Sequence, residues 1–506
     1  MKDILGYCRP EDVGVHPSWV EDYVNEINRR RKVQHSFVMA RGTRVFAEGY
    51  WKPFHRDWLH RMYSVSKSFV SAAIGMLADE GRISLDDTIL TYFPEQDDGT
   101  IHPLTRAMTI RDMLMMATCN RGQSYGVGDE NWLHTFFHPH HEPDHPAGTE
   151  FRYDTASSYT LDVLVERLTG KTFLEYLKDK ALRELGFSED AWCVEAPEGY
   201  AWGGSGVECT TRDLVRFALL FANGGVVGGK RYLSEDYVRA ATANQIDNLA
   251  DNGGVADSCA GNGYGYQIWR TRDNGFAFLG MGGQLGVIIP DRDFIFACNS
   301  DTQGDIDGCH GFVDILFDTV IDRIGSGSIP HDDDAFARLQ AVLGALEINV
   351  PAGAVYQPRQ EDIDGVTYTL SENRMGMTDF TFEFHGSTGL LTYQTTRGVR
   401  RFPFCMGRYA DTTFPETHYF GRRIREPKGE EYRCLNCAVW EDEHTLLVRT
   451  YIIDDYFGNM AARFVFDGDS VSLQITKTAE WFLDEYAGSA EGICLQCGGH
   501  PNDERK

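Results

Sequence analysis

With 506 residues the chain exceeds one ordinary domain, so two or three separate cores are expected. A formal charge of -27 excludes nucleic acid and anionic membrane surfaces as partners, because polyanions are repelled by such a surface. No apolar stretch is long enough to span a bilayer, and the opening "MKDILGYCRPEDVGVHPSW" contains no apolar leader core. A cytoplasmic protein acting on a small molecule is therefore expected.

In chain order, "HSFVMA" and "RVFAEGYW", joined by "RGT", read as a β-hairpin. Next comes "MYSVSKSF", Met62 to Phe69, after which Val70, Ala73, Ile74 and Leu77 recur at the spacing of one buried helix face until "DEGR" ends the run. Ser64 thus falls at a helix start with Lys67 one turn in, close enough for hydroxyl and amine to meet. Free backbone N–H groups and the positive end of the helix dipole favour an oxyanion there, and a desolvated lysine can act as base. The plainer alternative is a serine N-cap followed by an exposed lysine.

Helical patterns recur at "TIRDMLMMA", "SYTLDVLVERLTG", "TFLEYLKDKALRELG" and "TTRDLVRFALLFANGG", the last two running into glycine as helix ends do. Between the first two, "HPHHEPDHPAG" formally satisfies H-E-x-x-H with His141, Glu142 and His145. That zinc motif needs a continuous helix, and Pro143 interrupts it while Pro146 follows, so a polar loop is expected. "QLGVIIPDRDFIFACNS" reads as two buried strands around a turn. Composition then shifts at "GSGSIPHDDD", which suits a linker, and the helix "AFARLQAVLGAL" follows. From Val355 onward, short alternating strands such as "GVTYTL", "TDFTFEF", "GLLTYQT" and "HTLLVRTYII" predict an antiparallel barrel or sandwich.

Twelve cysteines lie at irregular intervals, as free thiols of a reducing compartment do. Two C-x-x-C pairs, Cys434 with Cys437 and Cys494 with Cys497, are farther apart than the halves of a zinc ribbon. The first pair also lies in a predicted strand, where residues three apart face opposite sides. Free cysteines and no cofactor are expected, with a structural zinc or a redox pair at Cys434, Cys437, Cys494 and Cys497 left open as the alternative.

The stretch "MYSVSKSFVSAAIGMLADEGRISLDDTILTYFPE" resembles the start of the serine β-lactamase and penicillin-binding-protein superfamily, in its class C, D-aminopeptidase and esterase branch. The resemblance continues in order through "GTEFRYDTASSYTLDVLVERLTGKTFLEYL", "WGGSGVECTTRDLVRFALLFANGG" and "GMGGQLGVIIPD" over roughly the first 330 residues. It implies an α+β fold: a β-lactamase-like domain at 1–330, with an antiparallel sheet flanked by helices and a helical subdomain. A linker and helix at 331–354 and an all-β domain at 355–506 complete the expected organisation.

The resemblance also implies site residues. Ser64 and Lys67 match the first motif. "FRYDT" matches the second, with Tyr153 at the tyrosine position and Thr155 where asparagine is usual. "GMGGQ" matches the third, with Met281 at the position of a cation, Gly282 and Gly283 following, and the backbone near Gln284 joining that of Ser64 as an oxyanion hole. The glycines have a plain alternative, a tight turn close to another backbone. Without a cation at Met281, a carboxylate-bearing β-lactam fits poorly unless Arg152 or Arg270 substitutes for it. The expected activity is hydrolysis of a small ester, amide or short D-peptide through an acyl-enzyme. The alternatives are a non-catalytic binding module on this fold, a true β-lactamase, or a main function carried by the C-terminal domain. No G-x-S-x-G elbow is present, and the oligomeric state is left open.

Overall fold

The computed structural model describes residues 3–122, 125, 129–305, 307–415, 432–454, 457–478 and 486–494. The chain divides between Ile348 and Asn349 into two compact units. Among the described residues no helix is long and apolar enough to cross a membrane.

The first unit is built on a seven-stranded sheet: β1 (Gly6–Tyr7), β2 (Gln34–Arg41), β3 (Arg44–Tyr50), β4 (Trp269–Arg270), β5 (Phe276–Gly280), β6 (Gln284–Ile289) and β7 (Phe294–Ser300). The order is β1-β3-β2-β7-β6-β5-β4. All pairs are antiparallel except β1 with β3. The hairpin at residues 34–50 and the strand pair before Ser300 form where alternating and β-branched residues predict them.

Because successive side chains in a strand point to opposite faces, the sheet is apolar on both. On one face Phe37 and Phe296 pack against Tyr23 of α1 (Pro17–Arg29), with ring centroids 5.4 and 5.7 Å away. On the other, Phe278 meets Phe217 of a helix at Thr211–Ala222. Phe217 in turn stacks on Phe69 at 3.7 Å, which fastens a helix at Ser66–Asp79 to the same face. Five further helices are labelled in chain order after α1: α2 (Ser66–Asp79), α3 (Thr155–Thr169), α4 (Thr211–Ala222), α5 (His310–Thr319) and α6 (Asp333–Gly344). α2 is buried along almost its whole length, so its sequence is apolar nearly all round rather than on one stripe.

The second unit is a closed β-barrel. Its strands are β8 (Thr367–Leu370), β9 (Met377–His385), β10 (Thr388–Thr395), β11 (Gly398–Met406), β12 (Ala410–Phe414), β13 (Tyr432–Trp440), β14 (Thr445–Ile453), β15 (Phe457–Asp467), β16 (Ser470–Thr478) and β17 (Gly488–Cys494). Nine of them run β11-β10-β9-β8-β17-β16-β15-β14-β13, and a short parallel pairing of β13 with β11 closes the ring, while β12 pairs antiparallel with the first half of the same β13 edge. Of the two expected outcomes, barrel or sandwich, the chain adopts the barrel. Phe380, Phe464, Tyr393 and Met460 are among the side chains that fill its interior, leaving an apolar void of about 20 Å³, room for one water and not for a small ligand.

Within β13, Cys437 packs with Val439, Leu447 and Ala461, while Cys434 turns its thiol toward Asn436 on the opposite face. The two thiols therefore diverge, as the period of two requires. Cys494 ends β17, and Cys497 lies outside the described residues.

Candidate active site

Ser64 sits in a tight 3-10 turn, Tyr63–Val65, that feeds directly into α2. Sequence spacing places the serine at the helix start; the structure puts it two residues ahead of the first α-helical residue, Ser66, where its hydroxyl caps nothing. The turn is anchored on both sides. Met62 N donates to Val207 O at 2.7 Å, and Val207 N donates to Ser66 Oγ at 3.0 Å. Tyr63 adopts φ +46°, a costly conformation for a residue with a side chain, and this backbone strain lies beside the serine.

Lys67 is 1% exposed. Its Nζ donates to Gly204 O at 2.6 Å and to Ser64 Oγ at 3.0 Å, and lies 5.0 Å from the centre of the Tyr153 ring. The Gly204 carbonyl fixes the amine, and the Ser64 hydroxyl lies within reach of it for proton exchange.

Gly204 owes its position to α3. Gly203 N donates to Asp162 Oδ2 at 3.1 Å, and Asp162 is wholly buried two turns into that helix. Burial pushes its carboxyl well above the usual carboxylate range. At the start of α3, Thr155 presents its methyl to the same turn: a Cβ added at Gly204 would lie 2.4 Å from Thr155 Cγ2. Thus the residue standing at the expected asparagine position packs against the carbonyl-bearing turn. Tyr153, just ahead of the helix, stacks on Trp269 at 5.7 Å and packs against the buried cluster of Met116, Phe151 and Tyr264.

The "GMGGQ" segment forms the three-residue turn of the β5–β6 hairpin, with Gly280 opposite Gln284. A Cβ at Gly280 would lie 2.3 Å from Met62 O, so the strand end runs against the backbone two residues before the serine. Gly282 and Gly283 have φ +76° and +82°, and a Cβ at Gly283 would fall 2.2 Å from Ser300 Oγ, which explains both glycines. The Gln284 side chain is buried behind the turn, donating to Ser300 O at 2.7 Å and Met281 O at 3.2 Å and accepting from Asn299. Met281 is half-buried in the turn itself.

Other candidates are engaged elsewhere. Arg152 pairs with Glu150 at 2.9 Å, and Arg270 donates to Thr242 O and Asn274. The H-E-x-x-H stretch is not helical: His145 is buried, bonded to Asp144 and Thr118 O, whereas His141 and Glu142 are exposed. Gly204, Asp162 and Trp269 escape sequence reasoning; only the glycine cluster "WGGSG" marks one of them.

The Beta-lactamase family profile matches residues 29–308. A 6-aminohexanoate-dimer hydrolase of Paenarthrobacter ureafaciens is 28% identical over 281 residues, 51% of this chain and 70% of the relative. Among solved structures, a putative 6-aminohexanoate-dimer hydrolase from Bacillus anthracis has a TM-score of 0.50 at 19% identity, over 64% of this chain and 87% of its own. A putative β-lactamase from Bacteroides dorei also scores 0.50, at 17% identity, over 61% of this chain and 99% of its own. The two structures share the fold, and the profile spans more than half of the residues, including the Ser64 turn, the Tyr153 segment and the glycine hairpin. The chain belongs to the Beta-lactamase family.

Proposed function

We propose that the protein is a serine hydrolase that cleaves a small ester or amide through an acyl-enzyme on Ser64. The observation that carries this reading is the buried Lys67 amine held between Gly204 O and Ser64 Oγ at 2.6 and 3.0 Å. Neutral Lys67 accepts the Ser64 proton as the hydroxyl attacks the substrate carbonyl, and Tyr153, over whose ring the amine lies, assists proton transfer to the leaving group. Backbone N–H groups of Ser64 and of the Met281–Gln284 turn hold the oxyanion, with Thr155 lining the same site. Water then releases the acyl group.

Methionine at position 281 supplies no charge for a substrate carboxylate, which favours esters and linear amides over a β-lactam. The name of the Paenarthrobacter relative, a hydrolase of a 6-aminohexanoate dimer, supports the amide arm. Buried cysteines scattered through the first unit, Cys119, Cys209, Cys259 and Cys298 among them, fit action in a reducing compartment such as the cytoplasm.

Intact-mass spectrometry after mixing with a fluorophosphonate, p-nitrophenyl acetate or a penicillin tests the reading. A single phosphonyl adduct absent from Ser64→Ala, with acetyl turnover and no penicilloyl adduct, is the expected result. Folded protein that takes no adduct from any reagent refutes it and leaves a binding module on the same fold.

A further inference from the structure

Away from Ser64, two cysteines and a histidine that are distant in sequence come together. Cys259 Sγ, Cys309 Sγ and one ring nitrogen of His310 all lie within 4.8 Å of one another. Cys259 Sγ is 3.3 Å from His310 Nδ1, and that nitrogen is 2.9 Å from Asp257 Oδ1. A tetrahedral zinc ion, with bonds of about 2.0–2.3 Å, separates its ligand atoms by roughly 3.3–3.8 Å, so small side-chain rotations complete the polyhedron.

We propose that Cys259, Cys309, His310 and Asp257 form a binding site for a zinc-type thiophilic divalent cation. Two thiols and an imidazole are the donor set that selects such ions over the hard cations magnesium and calcium. The fourth donor is held in place in advance: Asp257 Oδ1 accepts the Cys259 and Ala260 backbone N–H groups at 2.9 and 2.8 Å, and Asn252 donates to Oδ2 at 3.1 Å. Asn262 folds back onto Asp257 O and Ala260 O, which closes the loop around Cys259. Cys259 is buried, yet the side chains of His310 and Asp257 are 36% and 32% exposed, which gives the ion a way in. Binding releases the two thiol protons and leaves the donors and ion together with one net negative charge.

The ion would join the 257–262 loop to the N-terminal end of α5, where Ser258 and Asp314 already bond across the same junction. That loop runs into Tyr264 and Trp269, the wall against which Tyr153 packs, so the site orders a rim of the cleft without touching the reacting atoms.

Full-length protein, reduced and freed of metal, is titrated anaerobically with Co²⁺. The expected result is a thiolate-to-cobalt charge-transfer band with the intense visible bands of tetrahedral cobalt, discharged by Zn²⁺. The spectrum is lost in Cys259→Ser and in Cys309→Ser, retained in Cys434→Ser, and weakened at least about tenfold in affinity by Asp257→Asn. In the unmutated protein, Zn²⁺ should shield Cys259 and Cys309 from maleimide alkylation, read by peptide mass spectrometry, which needs no variant to fold. No tetrahedral spectrum, a spectrum unchanged in both cysteine variants, or alkylation indifferent to zinc overturns the proposal. So does a protein that yields only a Cys259–Cys309 disulfide in place of metal.

Discussion

Gly204→Ala tests how Lys67 is held. The new Cβ falls 2.4 Å from Thr155 Cγ2 and 3.1 Å from Thr155 O, whereas carbon atoms pack at about 3.5–4.0 Å, so the turn must retreat by about 1 Å. That displacement carries Gly204 O from 2.6 Å to the edge of hydrogen-bonding distance from Lys67 Nζ. A hydrogen bond between neutral groups contributes about 0.5–1.5 kcal/mol, and each ~1.4 kcal/mol is tenfold in rate, so the reactivity of Ser64 should fall about 2- to 10-fold. The assay is the rate of Ser64 phosphonylation, followed by intact mass under excess fluorophosphonate, with urea unfolding to show that the fold survives. Thr155→Ser removes the offending methyl and keeps the hydroxyl, so Gly204→Ala/Thr155→Ser should recover much of the rate. A single variant that labels at the parent's rate, or a double variant with no recovery, refutes the claim that this carbonyl positions the lysine.

Tyr153→Phe should slow hydrolysis of an anilide about 100-fold, yet change p-nitrophenyl ester turnover less than tenfold, because p-nitrophenolate departs without a proton. Equal losses on both would show that the phenol acts elsewhere in the cycle. Burial pushes the His60 imidazole down to about 3 from an ordinary value of about 6.5, and His35, stacked 5.5 Å away, is lowered in the same sense. Both groups therefore bind more protons unfolded than folded below about pH 6.5, His60 down to about 3. The His60 contribution is complete above about pH 6.5 and is lost as pH falls toward 3, with a slope of up to about 1.4 kcal/mol per pH unit, and His35 adds to the fall in the same direction. Urea unfolding across that window should show the fall, and His60→Gln should flatten it. Phe69→Ala removes the ring stacked on Phe217 and should destabilise the first unit by about 3–5 kcal/mol in chemical unfolding, while an exposed control such as Val399→Ala stays within about 0.5 kcal/mol.

What was legible in the sequence was what local spacing controls. Ser64 and Lys67 are three apart where a tight turn enters a helix, so their contact follows from helical geometry, although the serine's place in a 3-10 turn does not. The divergence of Cys434 and Cys437 follows from strand pleat alone. The glycines of "GMGGQ" announced a turn, while their reason, the Ser300 hydroxyl and the Met62 carbonyl, comes from a strand and a turn folded beside them. Gly204, Asp162 and Trp269 converge from separate elements and carry no period or motif, so only the tertiary structure brings them to Lys67 and Tyr153. In the second unit, alternation marked the strands, but barrel and sandwich share that pattern, and what decides between them is one long-range pairing.

That pairing has a mechanical consequence. β11 meets β13 only at Cys405 opposite Cys437 and Met406 opposite Ala438, whereas β13 and β14 are matched over seven residue pairs. On the same side of β13, β12 takes over from Tyr432 to Asn436, so a single strand edge is shared in relay between two partners. The ring is a belt with a two-residue buckle. Amide protons of 405–406 and 437–438 should exchange with solvent before those of the β14–β15 staves, and the barrel should open there into a flat sheet whose newly bared edge is guarded for half its length by β12.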